Sequence, residues 1–304
     1  CCMGATLGQD GCANTWNDPS ICGACGHACA SKDVCLNADC ATVLENSDVR
    51  AFAVDDTTVY WALRFEIRKQ PIDLSSSSTL VTPVNNAEAL ALDDSFVYWN
   101  DDGGLAKIPK AGGPSTALGG VGYPYSLVVG GGAAYASDYF RIVRCSTSGC
   151  SQCQLFSNVG GVSLRTDNAN LYWISFTSVY GCPLSGCTAP LTLANTKQTS
   201  GGLGALAADG TSAFWTDSDP LNGMVETVPL SGGTPSTLAS GLHGAGAIEV
   251  DGGTLYFATS DGLFAMPKGG GTAQLVSHNS PQAFAVQGTH IFMQVGDSLI
   301  REEK

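Results

Sequence analysis

The stretch AEALALDDSFVYWNDDGGLAKIPKAGGPSTAL, residues 87 to 118, decides the fold. Short apolar, aromatic or β-branched runs bounded by Asp, Gly and Pro are strand signals. By that rule the segment reads as an apolar strand, an Asp turn, an aromatic strand, a loop, a third strand, a Gly-Gly turn and a fourth strand. Four such strands make one small sheet, which cannot shield both of its faces from water by itself.

The same pattern recurs. VDDTTVYW at 54, LDDSFVYW at 92, VGGGAAYA at 129, RTDNANLYW at 165, ADGTSAFW at 208, VDGGTLYF at 250 and VQGTHIFM at 286 all place an aromatic residue after an Asp/Gly turn. The central aromatics Tyr60, Tyr98, Tyr135, Tyr172, Phe214, Tyr256 and Phe292 are spaced by 38, 37, 37, 42, 42 and 36 residues, room for four strands per copy. Copies that bury their sheets only against neighbours must stack around an axis, which predicts an all-β, seven-bladed β-propeller over 41–304. The last copy stops after its third strand, and CATVLENS at 40–47 is an unassigned strand before the first copy. The strand at 40–47 is therefore expected to complete the seventh blade and cover its open edge. Trp61, Trp99, Trp173 and Trp215 recur at one strand position and are read as inter-blade core.

The Gly-Gly turn has a variant. Cys182 and Cys187 fall where blade 5 has Val228 and Gly233, and Cys145 and Cys150 fall in the same places around STSG. Facing positions at a hairpin base bring β-carbons within about 5.5 Å, close to disulfide geometry, so both pairs are expected to staple a turn. Redox or metal roles for these pairs would want a two-residue spacing and a nearby His. Cys153 has no counterpart in other blades and is left unpaired or intermolecular.

Composition agrees with an exported β protein. Of 304 residues 44% are apolar, 13% are charged and 38 are Gly. A net charge of -13 repels phosphate backbones and anionic lipid surfaces, which argues against nucleic acid as a partner, and no apolar run approaches the roughly 20 residues of a membrane span. Eight of the thirteen cysteines lie in residues 1–40, a density typical of a disulfide scaffold in an oxidising compartment. Residues 1–40 are read as a disulfide head in which Cys12, Cys22, Cys25, Cys29, Cys35 and Cys40 form bridges, in one of 105 pairings of eight cysteines. Cys22, Cys25 and Cys29 with His27 also have the composition of a zinc site, which is less natural in an exported chain. CGACGH at 22–27 is one residue off a haem-attachment motif, so haem is rejected. Cys1 is a candidate for lipid attachment, on the expectation of an exported chain whose leader has been removed.

The strands VYWND at 97–101 and FWTD at 214–217 resemble the YWTD-type propeller repeats of extracellular proteins. That type has six blades, which keeps six open as the alternative to the count of seven. The head, GCANTWNDPSICGACGHACASKDVCLNADC at 11–40, is similar to the cysteine-rich segment of stigma-specific-protein-like domains. The resemblance implies an extracellular or bacterial surface location and no catalytic residue.

Asp101, Asp102, Asp138, Asp217, Asp219, Asp261 and Asp297 lie between second and third strands in five of the seven copies. Those loops share a face with the blade-to-blade connections, so the carboxylates are a candidate ring for Ca²⁺ or a cationic ligand. Asp in a turn also commonly bonds its own backbone. The longer loops at 175–181, 194–204 and 217–223 cluster on the same face, where binding sites tend to sit. No Walker-type phosphate loop is present.

These features predict a non-enzymatic extracellular or cell-surface binding or assembly protein, its partner a protein, a glycan or another copy. The alternative is a propeller hydrolase or lyase with a divalent cation on the ring aspartates, for which His243 and Glu66 are the available bases. Trp16, outside the periodic pattern, is a contact candidate in the head.

Overall fold

The computed structural model describes residues 16–23, 28–120, 124–149, 153–175, 178–195 and 202–304. Cys1, Cys12, Cys25, His27 and Cys150 lie outside the described residues, as does most of the 194–204 loop.

The chain is a seven-bladed β-propeller. Six sheets have four antiparallel strands in sequence order, and the seventh has five. The innermost strands are Ala51–Val54, Ala89–Leu92, Ser126–Gly130, Val162–Thr166, Leu203–Ala208, Ile248–Asp251 and Ala283–Gln287. Each lies against the next, and the last returns to the first, closing the ring. In every blade the pairing of the outermost strand of the four with the third contains a register shift, an irregularity that increases local twist.

Closure follows the expected route. Asp39–Glu45 pairs antiparallel with Ser298–Glu303, supplying the fourth strand that the last repeat lacks. The hairpin partner Val34–Leu36 adds a fifth strand, so the ladder runs from the head into the blade without a break at residue 40.

The repeated aromatics do what the periodicity demands. Trp61, Trp173, Trp215, Tyr98, Tyr135, Phe257 and Phe292 are fully buried. Each core is shared by neighbouring blades: Tyr98 and Leu118 of blade 2 pack with Leu127, Ala136 and Val143 of blade 3. Val59 and Trp61 of blade 1 meet Phe292 and Leu299 of blade 7, so the seam across the chain ends is as apolar as the others. Burying one such aromatic side chain contributes roughly 2–3 kcal/mol, available only when the adjacent blade is present.

The disulfides need one correction. Cys182–Cys187 staples the blade 4 turn with Cα atoms 5.6 Å apart, as expected. Cys145 is joined to Cys153, neither to Cys150 nor left with Cys153 over. The register explains it: Arg144 faces Gln154, so one step further toward the turn Cys145 faces Cys153. The blade 3 turn is longer than the alignment to STSG assumed. In the head, Cys22–Cys35 and Cys29–Cys40 are bridged. The sulfurs of Cys22, Cys29 and Cys40 lie within 4.8 Å of one another because the two bridges pack together. Disulfide sulfurs carry no thiolate charge, so this grouping does not make a zinc site.

Candidate functional site

Alternation of strand direction puts the turns between first and second and between third and fourth strands on one face of the ring. The loops between second and third strands share the other face with the blade-to-blade connections.

The predicted acidic loops are on that second face, and their carboxylates are turned largely to local work. Asp101 accepts from the Gly103 N–H at 2.8 Å and from Trp99 Nε1 at 3.1 Å. Asp138 accepts from the N–H groups of Phe140 and Arg141, each at 2.8 Å. Asp217, buried, accepts from the Asp219 N–H at 3.0 Å, and Asp219 from Leu221 and Asn222 at 2.9 and 2.8 Å. Asp261 pairs with His243 Nδ1 at 2.9 Å. Asp102 donates its main-chain N–H to the Asn85 carbonyl, and the Asp297 carbonyl accepts from Val49. Among the described residues no three of these carboxylates come within 4.8 Å of one another. Glu66, the other base considered, accepts from Thr79 at 2.8 Å and lies 3.8 Å from Arg68.

Beside exposed charged groups such as Asp102, Asp261, Asp297, Arg141 and His243, this face exposes large apolar side chains. Phe65, Tyr139, Phe140 and Leu221 stand on second-to-third loops, and Tyr125 on the connection into blade 3; Phe140 is 77% exposed and Leu221 71%. Tyr125 and Tyr139 are in ring contact at 4.5 Å, and Arg64 lies over Phe65 at 5.2 Å. Among the described residues the other large exposed apolar side chains are Trp16 in the head and Val34, Val43, Leu155, Leu191 and Leu275 on outer strands, and none stands in a turn of the turn face. The exposed aromatics were missed in the sequence because they sit between strands, where aromatic residues carry no periodic signal.

The turn face is built differently. Asp55, Asp93, Asp167 and Asp209 each accept two main-chain N–H bonds that close the first-to-second turn. Their second oxygens reach across. Tyr98 donates to Asp93 at 2.6 Å and Tyr172 to Asp167 at 2.8 Å. Lys110 of blade 2 pairs with Asp55 of blade 1 at 2.8 Å, and Lys268 of blade 6 with Asp209 of blade 5 at 2.6 Å. Lys304 pairs with Asp251 at 2.5 Å. Burial would raise these carboxyls, but at Asp55 and Asp209 the lysine and the turn N–H groups outweigh it and hold them below the ordinary range. Burial, and after it the neighbouring Asp55 carboxylate, push the Tyr60 hydroxyl up to about 12. A signal for these clasps exists in the sequence: Pro-Lys precedes the glycine turn at 109–113 and at 267–271.

Two charged residues inside the ring were also missed. Arg165 and Glu249 belong to innermost strands of blades 4 and 6 and line, with Ala207, Ala208 and Val250, a cavity of about 340 Å³. Both keep some solvent access through the cavity. Burial pushes the Glu249 carboxyl up to about 7 against the pull of Arg165.

The head is fastened to blades 6 and 7. Asp39 accepts from Ser277 at 3.1 Å and from the His278 main-chain N–H at 2.5 Å, and Asn37 bonds Asn279 at 2.8 Å. Asn279 in turn donates to the buried Glu302 at 2.7 Å. Trp16 packs edge-on against His278 at 5.7 Å while remaining 54% exposed.

No family model and no curated relative matches the chain. Solved propellers do. The catalytically inactive virginiamycin B lyase from Staphylococcus aureus with quinupristin is similar at TM-score 0.68 and 14% identity, over 86% of this chain and 97% of that one. The extracellular domain of a proposed one component system from B. thetaiotaomicron gives 0.67 and 13%, over 86% and 40%. A chain of the nidogen/laminin complex gives 0.51 and 21%, over 69% and 89%. At such identities the likeness shows the fold alone. The resemblance to extracellular repeat propellers holds as architecture, with seven blades and not the six of the YWTD type.

Proposed function

We propose that the chain is a non-enzymatic binding or assembly scaffold working outside the cell or at its surface. The face carrying the second-to-third loops meets the partner, a protein, a glycan or a second copy. The observation that carries this reading is the segregation of exposed large apolar side chains among the described residues: Phe65, Tyr125, Tyr139, Phe140 and Leu221 stand in the loops of one face, and none stands in the turns of the other. Exposed aromatics on loops of a rigid frame are the composition of contact surfaces. Four disulfides among the described residues support an oxidising compartment, and one similar propeller is an extracellular domain.

The test compares the wild-type chain with a Tyr139→Ser/Phe140→Ser variant on an array of extracellular proteins and glycans, and by sedimentation across concentrations. The variant is expected to melt normally and to lose binding or self-association at least tenfold. A wild-type chain inert in both assays would sink the scaffold reading. Cleavage of quinupristin by the chain, with or without a millimolar divalent cation, would replace it with the lyase alternative.

A further inference from the structure

Arg165 and Glu249 face a shared cavity from blades that are not neighbours. The innermost strand of blade 5 runs between them, and there it offers the small residues Ala207 and Ala208. Among the described residues, the hydrogen bond of the Arg165 guanidinium goes to the carbonyl of its own neighbour, Leu164, at 2.9 Å. Glu249 accepts from the Val286 main-chain N–H through Oε2 at 3.2 Å. The ion pairs within 4.0 Å among the described residues do not include Arg165 with Glu249. The two still sense each other, each opposing what burial does to the other's ionisation.

Two opposite charges drawn partly out of water and held apart bear a desolvation cost without the return of direct contact. A purely structural pair would close the gap, and side chains larger than alanine on blade 5 would fill it. The geometry therefore asks for a third party. An anion alone would satisfy Arg165 while facing the carboxylate of Glu249, in a chain of net charge -13. A cation alone would leave the guanidinium without its counter-charge. A molecule carrying both charges answers both walls, and Ala207, Ala208 and Val250 suit the carbon chain between its ends.

We propose that the cavity bounded by Arg165, Ala207, Ala208 and Glu249 binds a small zwitterion, its carboxylate on the Arg165 fork and its ammonium on Glu249. This site belongs to the ring interior and stands or falls independently of the aromatic face.

Calorimetric titration of the intact chain with ω-amino acids from glycine to 6-aminohexanoate tests it, with hexanoate and hexylamine as single-charge controls. One chain length is expected to saturate with a Kd of about 1 mM or tighter, and the controls to bind at least tenfold more weakly. Glu249→Gln keeps the shape and the Val286 hydrogen bond, and Arg165→Lys keeps the charge but not the fork. Each is expected to lose binding at least tenfold, and the melting curve of Glu249→Gln should still show a folded ring. Three results would overturn the site: no amino acid saturating by about 20 mM, hexanoate binding as tightly as 6-aminohexanoate, or folded Glu249→Gln binding like wild type. If Arg165→Lys fails to fold, the Gln variant and the controls decide alone.

Discussion

Asp209 accepts from the Thr211 and Ser212 N–H groups at 2.9 Å each and pairs with Lys268 of the next blade at 2.6 Å. Asn at this position keeps the turn bonds and loses the ion pair; Ala loses both. Urea unfolding at pH 7 is expected to show a loss of about 1 kcal/mol for Asp209→Asn and about 2–3 for Asp209→Ala. Because Asp209 is held below its ordinary range, its contribution is present above the unfolded carboxyl value and is lost as pH falls through the folded one. Glu302 has the opposite sign. Burial, aided by the charge of Asp39, pushes it up to about 7, so its contribution is complete below the unfolded value, near 4.5, and is lost as pH rises through 7. Glu249, raised to about 7 by burial with Asp251 adding and Arg165 and Lys304 opposing, follows the same course. The urea midpoint is expected to peak where the unfolded carboxyls titrate, between about pH 4 and 5, and to fall from there toward neutrality. Glu302→Gln should raise stability at pH 8 by roughly 1–3 kcal/mol and leave it unchanged at pH 4.5.

At the scale of the strand pair, two turns in blades 3 and 4 are closed by sulfur where blades 2, 5 and 6 use glycine. Restricting so short a loop stabilises by about 2 kcal/mol, so Cys182→Ser/Cys187→Ser and Cys145→Ala/Cys153→Ala should each lower the unfolding free energy measured in urea by about 2 kcal/mol. Non-reducing peptide mapping should return Cys145 joined to Cys153. The staple in blade 4 was legible from its alignment to Val228 and Gly233. The one in blade 3 was not, because loop length is set by where pairing stops, and Arg144 opposite Gln154 is a fact of register. The aspartates of the second-to-third loops follow the same logic. Their chemistry alone permits a cation ring, but Asp101, Asp138, Asp217 and Asp219 bind main-chain N–H groups of their own loops. Millimolar Ca²⁺ is accordingly expected to leave the melting temperature unchanged, whereas a shift of several degrees would restore the ring as a metal site.

At the scale of the molecule, stability depends on closure. Asp39–Glu45 covers the edge of Ser298–Glu303, and Val59 and Trp61 share a core with Phe292 and Leu299 across the seam. A chain beginning at residue 46 keeps all seven repeats and exposes that edge. It should aggregate on size-exclusion chromatography and lose the single cooperative melt, while a chain beginning at residue 28 retains the closing strand and should stay monodisperse at the same concentration.

Residue type and spacing alone determined that the chain forms four-stranded units, that seven copies recur, and that the end strand is placed to close the ring, because each follows from local turn chemistry and from apolar faces that one sheet cannot bury; the structure settled seven blades against the six that the repeat resemblance had kept open. Only the tertiary structure decided which cysteine Cys145 meets and which face carries the exposed aromatics. It alone brought Arg165 and Glu249 to one cavity across an intervening strand. These three depend on distances between residues far apart in the chain or on where pairing ends, and periodicity carries no information about either.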